Sequence, residues 1–382
     1  MNRITKYLII LGVALLPVYV FDSGGMQPSH LLLFTYSIII LIARGFPVRP
    51  WSVALVALFL YASAVESFYV ILGGDLLFLI NAVFFLFNFI VVAAIYTHVR
   101  ETGLKTLRFG VMFTAAIAFG AVAYFGVNLS ELDGQGRPTG AFNNPNQLGY
   151  FSVCLLSFTY LLYREKQLSY WMAAAIFSIA MFLAIASLSK AAMISNFAVI
   201  VLALKPVRSR SAVLGWALAG LIGLLYLFQQ YQGGAFDDLL FVKRLANMAR
   251  EGDSSLEARG YFAFLHGTPL HLLFGMGTQN INEIVGHEVH STFASILNNY
   301  GLFGLMIFSA AIFIWAARLW QYFGLVGFIC LTVPPMAYGI THDGTRFTFF
   351  WLLFAASMAL AERERRSSSL QPMAKSIGSV RV

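Results

Sequence analysis

The chain has 382 residues, 59% of them hydrophobic and 11% charged, and a formal net charge of +8. Soluble globular domains carry about 25% charged residues, so this composition excludes that class. Because long apolar runs favour helices over barrel strands, we expect an all-α polytopic membrane protein. The positive charge, which in a soluble protein would suggest nucleic acid as a partner, is explained better by membrane topology.

Apolar runs predict about twelve transmembrane helices along the chain. The runs at residues 30–43 and 191–204 are short for a complete crossing, which needs roughly 17–25 residues, so their flanks contribute or one of them is re-entrant. The predicted spans lie near residues 7–21, 30–43, 51–72, 75–97, 107–127, 146–163, 168–186, 191–204, 212–228, 291–317, 321–341 and 347–361.

These runs divide the chain into four regions. Residues 1–228 hold nine spans, residues 229–290 form a large polar loop, residues 291–361 hold three spans, and residues 362–382 form a charged, Ser-rich tail that we expect to be disordered. The loop is predicted to contain short helices, one of them an interfacial amphipathic helix over residues 236–250.

The distribution of Lys and Arg predicts the orientation of the chain. With both termini in the cytoplasm, the inner connections and tails hold eighteen of the 25 Lys and Arg residues, and the outer connections hold the other seven. This asymmetry satisfies the positive-inside rule. It places the two substantial polar loops, residues 128–144 and 229–290, on the outer side of the membrane.

Two of the outer cations lie beside predicted helix N-termini. Arg137 precedes Asn144, a suitable N-cap, which is followed by Pro145 at the first helical position and Gln147 at the capping-box spacing. Lys190 stands at the start of the eighth span, where the helix dipole disfavours a cation. Cations kept at such positions indicate a bound anion, and a phosphate or diphosphate fits best.

Each outer cation also has a simpler explanation as half of a surface ion pair. Arg137 and Lys190 could pair with outer carboxylates such as Glu131 and Asp133. Arg259 lies near two acidic residues of its own loop, and Lys243, Arg244 and Arg250 resemble the solvated face of an amphipathic helix. Arg346 follows Asp343 and could pair with it.

One histidine and one glutamate stand out by position. His290 lies at the mouth of a span, and because imidazoles titrate near neutral pH it could take a proton from a hydroxyl. His287 and His290 lack the i, i+4 spacing of a helical zinc pair, so we expect no metal site. Glu66 lies within the third span, where a carboxylate is functional or pairs with a cation such as Lys190 or Arg346.

Three motifs follow one another between residues 137 and 304. The first is RPTGAFNNPNQLG at residues 137–149, the second is SLSKAA at residues 187–192, and the third is HSTF at residues 290–293 with NYGLFG at residues 299–304. In this order and outer placement they resemble the bacterial O-antigen ligase and Wzy-type polysaccharide polymerase family. That family has an Arg-x-x-Gly and Asn-Pro-Asn stretch, a Ser-Arg-Gly/Ala turn, and a His with Gly-x-x-Gly after its large loop.

The resemblance implies a glycosyltransferase with a GT-C-like fold in the bacterial inner membrane, its site facing the periplasm. The donor would be a glycan on undecaprenyl diphosphate and the acceptor a saccharide or lipid-linked glycan, with no cofactor, nucleotide sugar or required metal. Other polysaccharide-assembly proteins are further partners that the resemblance suggests.

Residue roles follow from the same resemblance. His290 would be the catalytic base, and Arg137, Lys190 and Arg259 would hold the diphosphate. Lys190 departs from the family, which usually has arginine there, because an ammonium does not make bidentate phosphate contacts. Supporting roles are expected for Asn144, Asn146, Glu66, Arg346 and His342.

Reaction course and acceptor are separate questions. Because the outer motifs contain no close carboxylate pair for a double displacement, we expect direct attack with inversion at the anomeric carbon. Polymerase and ligase differ only in acceptor, which is another lipid-linked repeat or the lipid A core. The sequence does not decide between the two, and a polymerase is our leading hypothesis. A transporter of lipid-linked sugars also fits about twelve spans, but transporters tend to have internal repeats and midplane polar sites.

Overall fold

The computed structural model describes residues 3–21, 25–126, 139–204 and 260–377, and the structural statements below concern those residues. This part of the chain is helical and contains no strand. Four of its helical stretches are long and apolar enough to cross a membrane, and three further apolar helices are shorter. The described residues therefore form an all-helical membrane protein but do not reach the expected count of about twelve spans.

Several helices begin at a proline, which suits the first helical position because its missing N–H would have no helical partner there. The first half of the chain contains α1 (Arg3–Ala14), α2 (Pro28–Arg44), α3 (Pro50–Ile71), α4 (Ile80–Thr102), α5 (Lys105–Gly126), α6 (Pro145–Arg164), α7 (Tyr170–Ala186) and α8 (Lys190–Leu204). The second half contains α9 (Pro269–Phe274), α10 (Gly277–Val285), α11 (Thr292–Thr341) and α12 (Thr348–Ile377).

Most of these helices match the predicted spans to within a few residues. The first is shorter than expected, because α1 ends at Ala14 although the apolar run continues to residue 21. At the other end, α12 continues to Ile377, past the predicted end of the last span. The predicted span at residues 212–228 and the amphipathic helix over residues 236–250 lie outside the described residues.

The helical stretch α11 is broken at two glycines. Gly301 and Gly324 have φ values of 65° and 68°, in the left-handed region that favours glycine. The break at Gly324 separates the two spans that the sequence places at residues 291–317 and 321–341. The break at Gly301 divides the first of them again, leaving a short helical segment over residues 292–300.

The core of the bundle lies around α6 and α12. Residues 148–162 of α6 and 349–361 of α12 are almost entirely buried. Because α6 is enclosed, partners for its hydroxyl groups must come from the protein, and the Ser157 hydroxyl has none among the described residues. Ser152 and Thr159 donate hydrogen bonds of 2.7 Å to backbone carbonyls of their own helix.

The described part of the large loop, residues 260–290, is anchored to α3. The Tyr61 hydroxyl donates to the Phe274 carbonyl at 2.9 Å, and the Tyr69 hydroxyl donates to the Gly275 carbonyl at 3.0 Å. The short helices α9 and α10 lie in this part of the loop. They agree with the expectation that the loop contains short helices.

The turn between α9 and α10 packs directly on the break in α11. A Cβ atom on Gly275 would lie 2.2 Å from the Asn299 carbonyl oxygen, and one on Gly301 would lie 2.4 Å from the Leu273 carbonyl oxygen. Both glycines also have positive φ. Only a residue without a Cβ fits at either position, and the loop is locked to the short segment that begins beside His290.

Candidate active site

A cavity of about 170 Å³ lies where α2, α6 and α12 begin and the last segment of α11 ends. Five residues that the sequence singled out contribute to its wall, although they come from three separate parts of the chain: His290, Asn144, Asn146, Arg346 and His342. The fold therefore brings the proposed base and one outer cation to the same place.

The N-terminus of α6 forms one wall. The Asn144 side chain accepts a hydrogen bond of 2.9 Å from the Gln147 backbone N–H, and Pro145 is the first helical residue. The Gln147 side chain in turn accepts from the Asn143 N–H. The sequence predicted this cap and its proline. An N-terminus directed at a cavity favours anions there through its unpaired N–H groups and the helix dipole.

His290 is held in place by the two residues that follow it. Ser291 caps the first segment of α11 by accepting from the Ala294 N–H at 3.3 Å. Thr292 donates to the His342 carbonyl through its N–H at 3.2 Å and its hydroxyl at 3.1 Å. The His290 side chain is exposed to the cavity and stacks on His287, with ring centroids 4.9 Å apart. A hydrogen-bonded backbone thus presents an exposed imidazole to the cavity.

His342 and Asp343 lie in the link between α11 and α12, which is hydrogen-bonded to Thr292 of the His290 segment. The His342 ring stacks on Tyr338 with centroids 4.6 Å apart. The Asp343 carboxylate accepts two hydrogen bonds of 2.9 Å from the Thr345 backbone N–H and hydroxyl. Loss of solvent raises the pKa of Asp343 above its usual range, although these hydrogen bonds and the nearby Arg346 oppose the rise.

Arg346 does not pair with Asp343, which was the simpler explanation for this cation. Its Nη1 lies 3.1 Å from Oε1 of Glu288, and its Nη2 donates to the Asn81 side chain. The guanidinium also lies over the Phe84 ring, 5.9 Å from its centroid. A carboxylate in contact with Arg346 at the cavity wall shows that this position accommodates anionic oxygen atoms.

The cavity also corrects one premise drawn from the sequence. The outer motifs contain no close carboxylate pair, but Glu288 and Asp343 line the same cavity. Glu288 contributes to the raised pKa of Asp343 by charge repulsion, so the two carboxylates lie within electrostatic range. The sequence could not show this, because the two residues belong to different connections.

Glu66 is 1% exposed and serves the loop rather than the cavity. It accepts from the Thr278 hydroxyl at 2.6 Å, from the Thr278 N–H at 3.3 Å and from the Tyr300 hydroxyl at 3.0 Å. Its partners are therefore neutral groups, and neither Lys190 nor Arg346 is among them. Since α10 begins at Gly277, the carboxylate also lies at a helix N-terminus, where a negative charge is favourable.

We expect Glu66→Ala to loosen the loop. The substitution leaves buried donors of Thr278 and Tyr300 without an acceptor, which costs about 1–3 kcal/mol for each unsatisfied group. The thermal unfolding temperature should fall and proteolysis between α9 and α10 should become faster. Glu283→Ala is the matched control, because Glu283 is an exposed carboxylate on α10. Equal behaviour of the two variants would contradict the anchoring role.

Of the three cations expected to hold a diphosphate, only Lys190 lies within the described residues. Lys190 is the first residue of α8, where it is exposed and does not line the cavity. Arg137 and Arg259 lie outside the described residues. Gly260, which follows Arg259 in the chain, packs against Val289, a cavity residue that precedes His290.

Sequence reasoning missed His30, Glu288 and Asp343 as cavity residues. His30 comes from the first turn of α2, far from the motifs in sequence. The only sequence feature that marked His30 was its position at the predicted outer end of the second span. Asp343 was interpreted as the partner of Arg346, and Glu288 was not singled out at all. Each of them reaches the cavity through packing between distant segments.

The arrangement combines groups that can accept a proton with groups that can hold an anion. The imidazole of His290 can accept a hydroxyl proton, while the Arg346 guanidinium and the N-terminus of α6 favour negative charge. No protein-family model matches the chain, and no curated protein matches it. The chemistry of the cavity must therefore be inferred from its own residues.

Proposed function

We propose that this protein transfers a glycan from a polyprenyl diphosphate to a saccharide acceptor, in a cavity that faces the periplasm. The observation that carries the proposal is that His290 and Arg346 line one cavity at the capped N-terminus of α6. Such a transfer needs a base for the acceptor hydroxyl and positive charge for the departing diphosphate. The motif resemblance supports the same reaction and suggests undecaprenyl diphosphate as the carrier.

The proposed step is a direct displacement. The acceptor hydroxyl oxygen attacks the anomeric carbon of the donor sugar as its proton passes to His290. The bond between that carbon and the diphosphate oxygen breaks, and the electron pair leaves with undecaprenyl diphosphate. Arg346 and the N–H groups at the start of α6 stabilise the charge that develops on the leaving group.

Further cations complete this anion site in the proposal. Arg259 immediately precedes Gly260, which packs beside the His290 segment. Arg137 stands just before the capped start of α6, two residues ahead of Thr139. We propose that both contact the diphosphate, and that Lys190 acts at longer range because its side chain is outside the cavity wall.

The stereochemical outcome distinguishes two courses within this cavity. With His290 as base, one displacement inverts the anomeric centre. A carboxylate nucleophile, for which Glu288 and Asp343 are the available groups, would give two displacements and retention. We propose inversion, because Glu288 is engaged with Arg346 and one oxygen of Asp343 is engaged with Thr345.

The acceptor is tested with purified protein and an undecaprenyl-diphosphate-linked repeat. Products that lengthen with this donor alone would identify a polymerase, which we propose. Products that form only after lipid A core is added would identify a ligase. Transfer to neither acceptor would contradict the proposed function. The anomeric configuration of the new bond, read by NMR from the same product, tests inversion.

We expect Glu288→Gln to tighten binding of undecaprenyl diphosphate by about two- to fivefold. The substitution removes a negative charge that competes for Arg346, and a half-exposed ion pair of this kind contributes at most about 1 kcal/mol. Binding is measured in nanodiscs, with Glu283→Gln as the control for a charge change outside the cavity. Weaker binding by Glu288→Gln would contradict the view that a diphosphate takes the place of this carboxylate at Arg346.

A further inference from the structure

His30 is a cavity residue that the step above does not use. It lies in the first turn of α2, is 8% exposed, and lines the cavity together with His290 and Arg346. In a neutral imidazole one ring nitrogen is a hydrogen-bond donor and the other is an acceptor. The role of His30 beside a proposed anion site therefore depends on which nitrogen is the donor.

One nitrogen is already engaged. The Gln27 backbone N–H donates to Nδ1 of His30 at 3.2 Å, as part of the cap of α2. Gln27 is itself fixed, because its side-chain oxygen accepts from the Val20 N–H at 2.8 Å. A nitrogen that accepts a hydrogen bond carries no proton, so in the neutral ring the proton is on Nε2.

The second nitrogen is therefore a hydrogen-bond donor. Among the residues that the structure describes, none accepts from Nε2 of His30. The ring is flanked by Phe84 and Phe87, with centroids 6.2 Å and 5.1 Å away, and neither side chain offers a polar partner. A donor in the cavity wall that has no acceptor among these described residues is available to an acceptor atom of a bound ligand.

Phe84 contacts both His30 and Arg346. The guanidinium of Arg346 lies over the same Phe84 ring against which His30 packs. Since Arg346 already holds a carboxylate at the cavity wall, His30 and Arg346 flank one aromatic side chain beside a place that accommodates anionic oxygen.

We propose that Nε2–H of His30 donates a hydrogen bond to a diphosphate oxygen of the lipid-linked donor, which makes His30 a substrate-binding residue. This inference rests on the proposed function and assigns one more contact to the same site. A diphosphate oxygen is an acceptor only, and it matches a nitrogen that can only donate. No proton moves to or from His30, since Nδ1 stays paired with Gln27.

Two substitutions separate the roles of the two nitrogens. Asparagine places an amide oxygen near the position of Nδ1, keeps an acceptor for Gln27 and lacks a group at Nε2. Glutamine places an amide N–H near Nε2. We expect His30→Asn to weaken binding of undecaprenyl diphosphate roughly tenfold, as loss of a charge-assisted hydrogen bond would, and His30→Gln to restore most of the affinity. Thermal unfolding of both variants is measured alongside.

The outcomes distinguish this inference from the function on which it rests. If wild type binds the lipid, Arg346→Ala binds it weakly and His30→Asn binds it normally, His30 has no such role and the site stands. Equal weakening by His30→Asn and His30→Gln would also contradict a donor role. If wild type fails to bind undecaprenyl diphosphate, or Arg346→Ala binds it unchanged, the proposed function fails together with this inference.

Discussion

Replacing His290 with alanine is expected to lower the rate of glycan transfer by about 10²–10⁴-fold, the contribution typical of a general base. The side chain is exposed to the cavity and caps no helix, and its backbone is held by Ser291 and Thr292. The variant should therefore fold normally and bind the donor nearly as well as wild type. Turnover of lipid-linked repeats and donor affinity are measured on the same preparation.

His266→Ala is the matched control for this experiment. His266 is an exposed histidine of the same loop and does not line the cavity. Its substitution should leave transfer within about twofold of wild type, since surface changes away from a site have small effects. Turnover of the His290→Ala protein at the wild-type rate would show that His290 is not the catalytic base.

Gly301→Ala is expected to have the largest effect on stability. Its left-handed backbone costs a residue with a Cβ roughly 1–2 kcal/mol. That Cβ would also lie 2.4 Å from the Leu273 carbonyl oxygen, and overpacking of this kind adds about 1–3 kcal/mol. The Cβ would meet backbone atoms of Leu273 and Gly275, which cannot rotate away as a side chain could. The loop must therefore separate from α11. We expect a large drop in unfolding temperature and loss of folded yield.

Gly324→Ala isolates the backbone contribution in the same helical stretch. Gly324 has a φ of 68°, close to that of Gly301, but nothing lies within 4 Å of a Cβ built there. The Gly324→Ala variant should lose only the roughly 1–2 kcal/mol of folding free energy that the left-handed conformation costs a residue with a Cβ. Thermal unfolding in detergent compares the two variants, and a smaller loss for Gly301→Ala than for Gly324→Ala would contradict the interlock between the loop and α11.

Local signals were sufficient to predict several parts of this structure. The Asn144 cap, the proline that follows it and the start of α6 depend on neighbouring residues alone, and the structure has them as predicted. The ends of most apolar helices also followed from hydropathy. The short break at Gly301 was not predicted, because its cause is the approach of Gly275 from another segment.

Contacts between segments that are distant in the chain could not be predicted from the sequence. Proximity suggested that Arg346 pairs with Asp343, whereas the fold brings Glu288 to it. Glu66 was a candidate partner for a cation, and its acceptors are instead satisfied by Thr278 and Tyr300. In each case the sequence identified a polar group that needs a partner, and the partner depends on how α3, the loop and α11 pack.

The release of undecaprenyl diphosphate by reconstituted wild-type protein tests the central claim most directly. The donor repeat is supplied at the face that bears the loop, and free undecaprenyl diphosphate and elongated glycan are quantified together by mass spectrometry. The account predicts that one undecaprenyl diphosphate is released for each glycosidic bond formed, and that His290→Ala forms both products about 10²–10⁴-fold more slowly. Donor that crosses the bilayer with its sugar–diphosphate bond intact, or donor left unchanged, would contradict it.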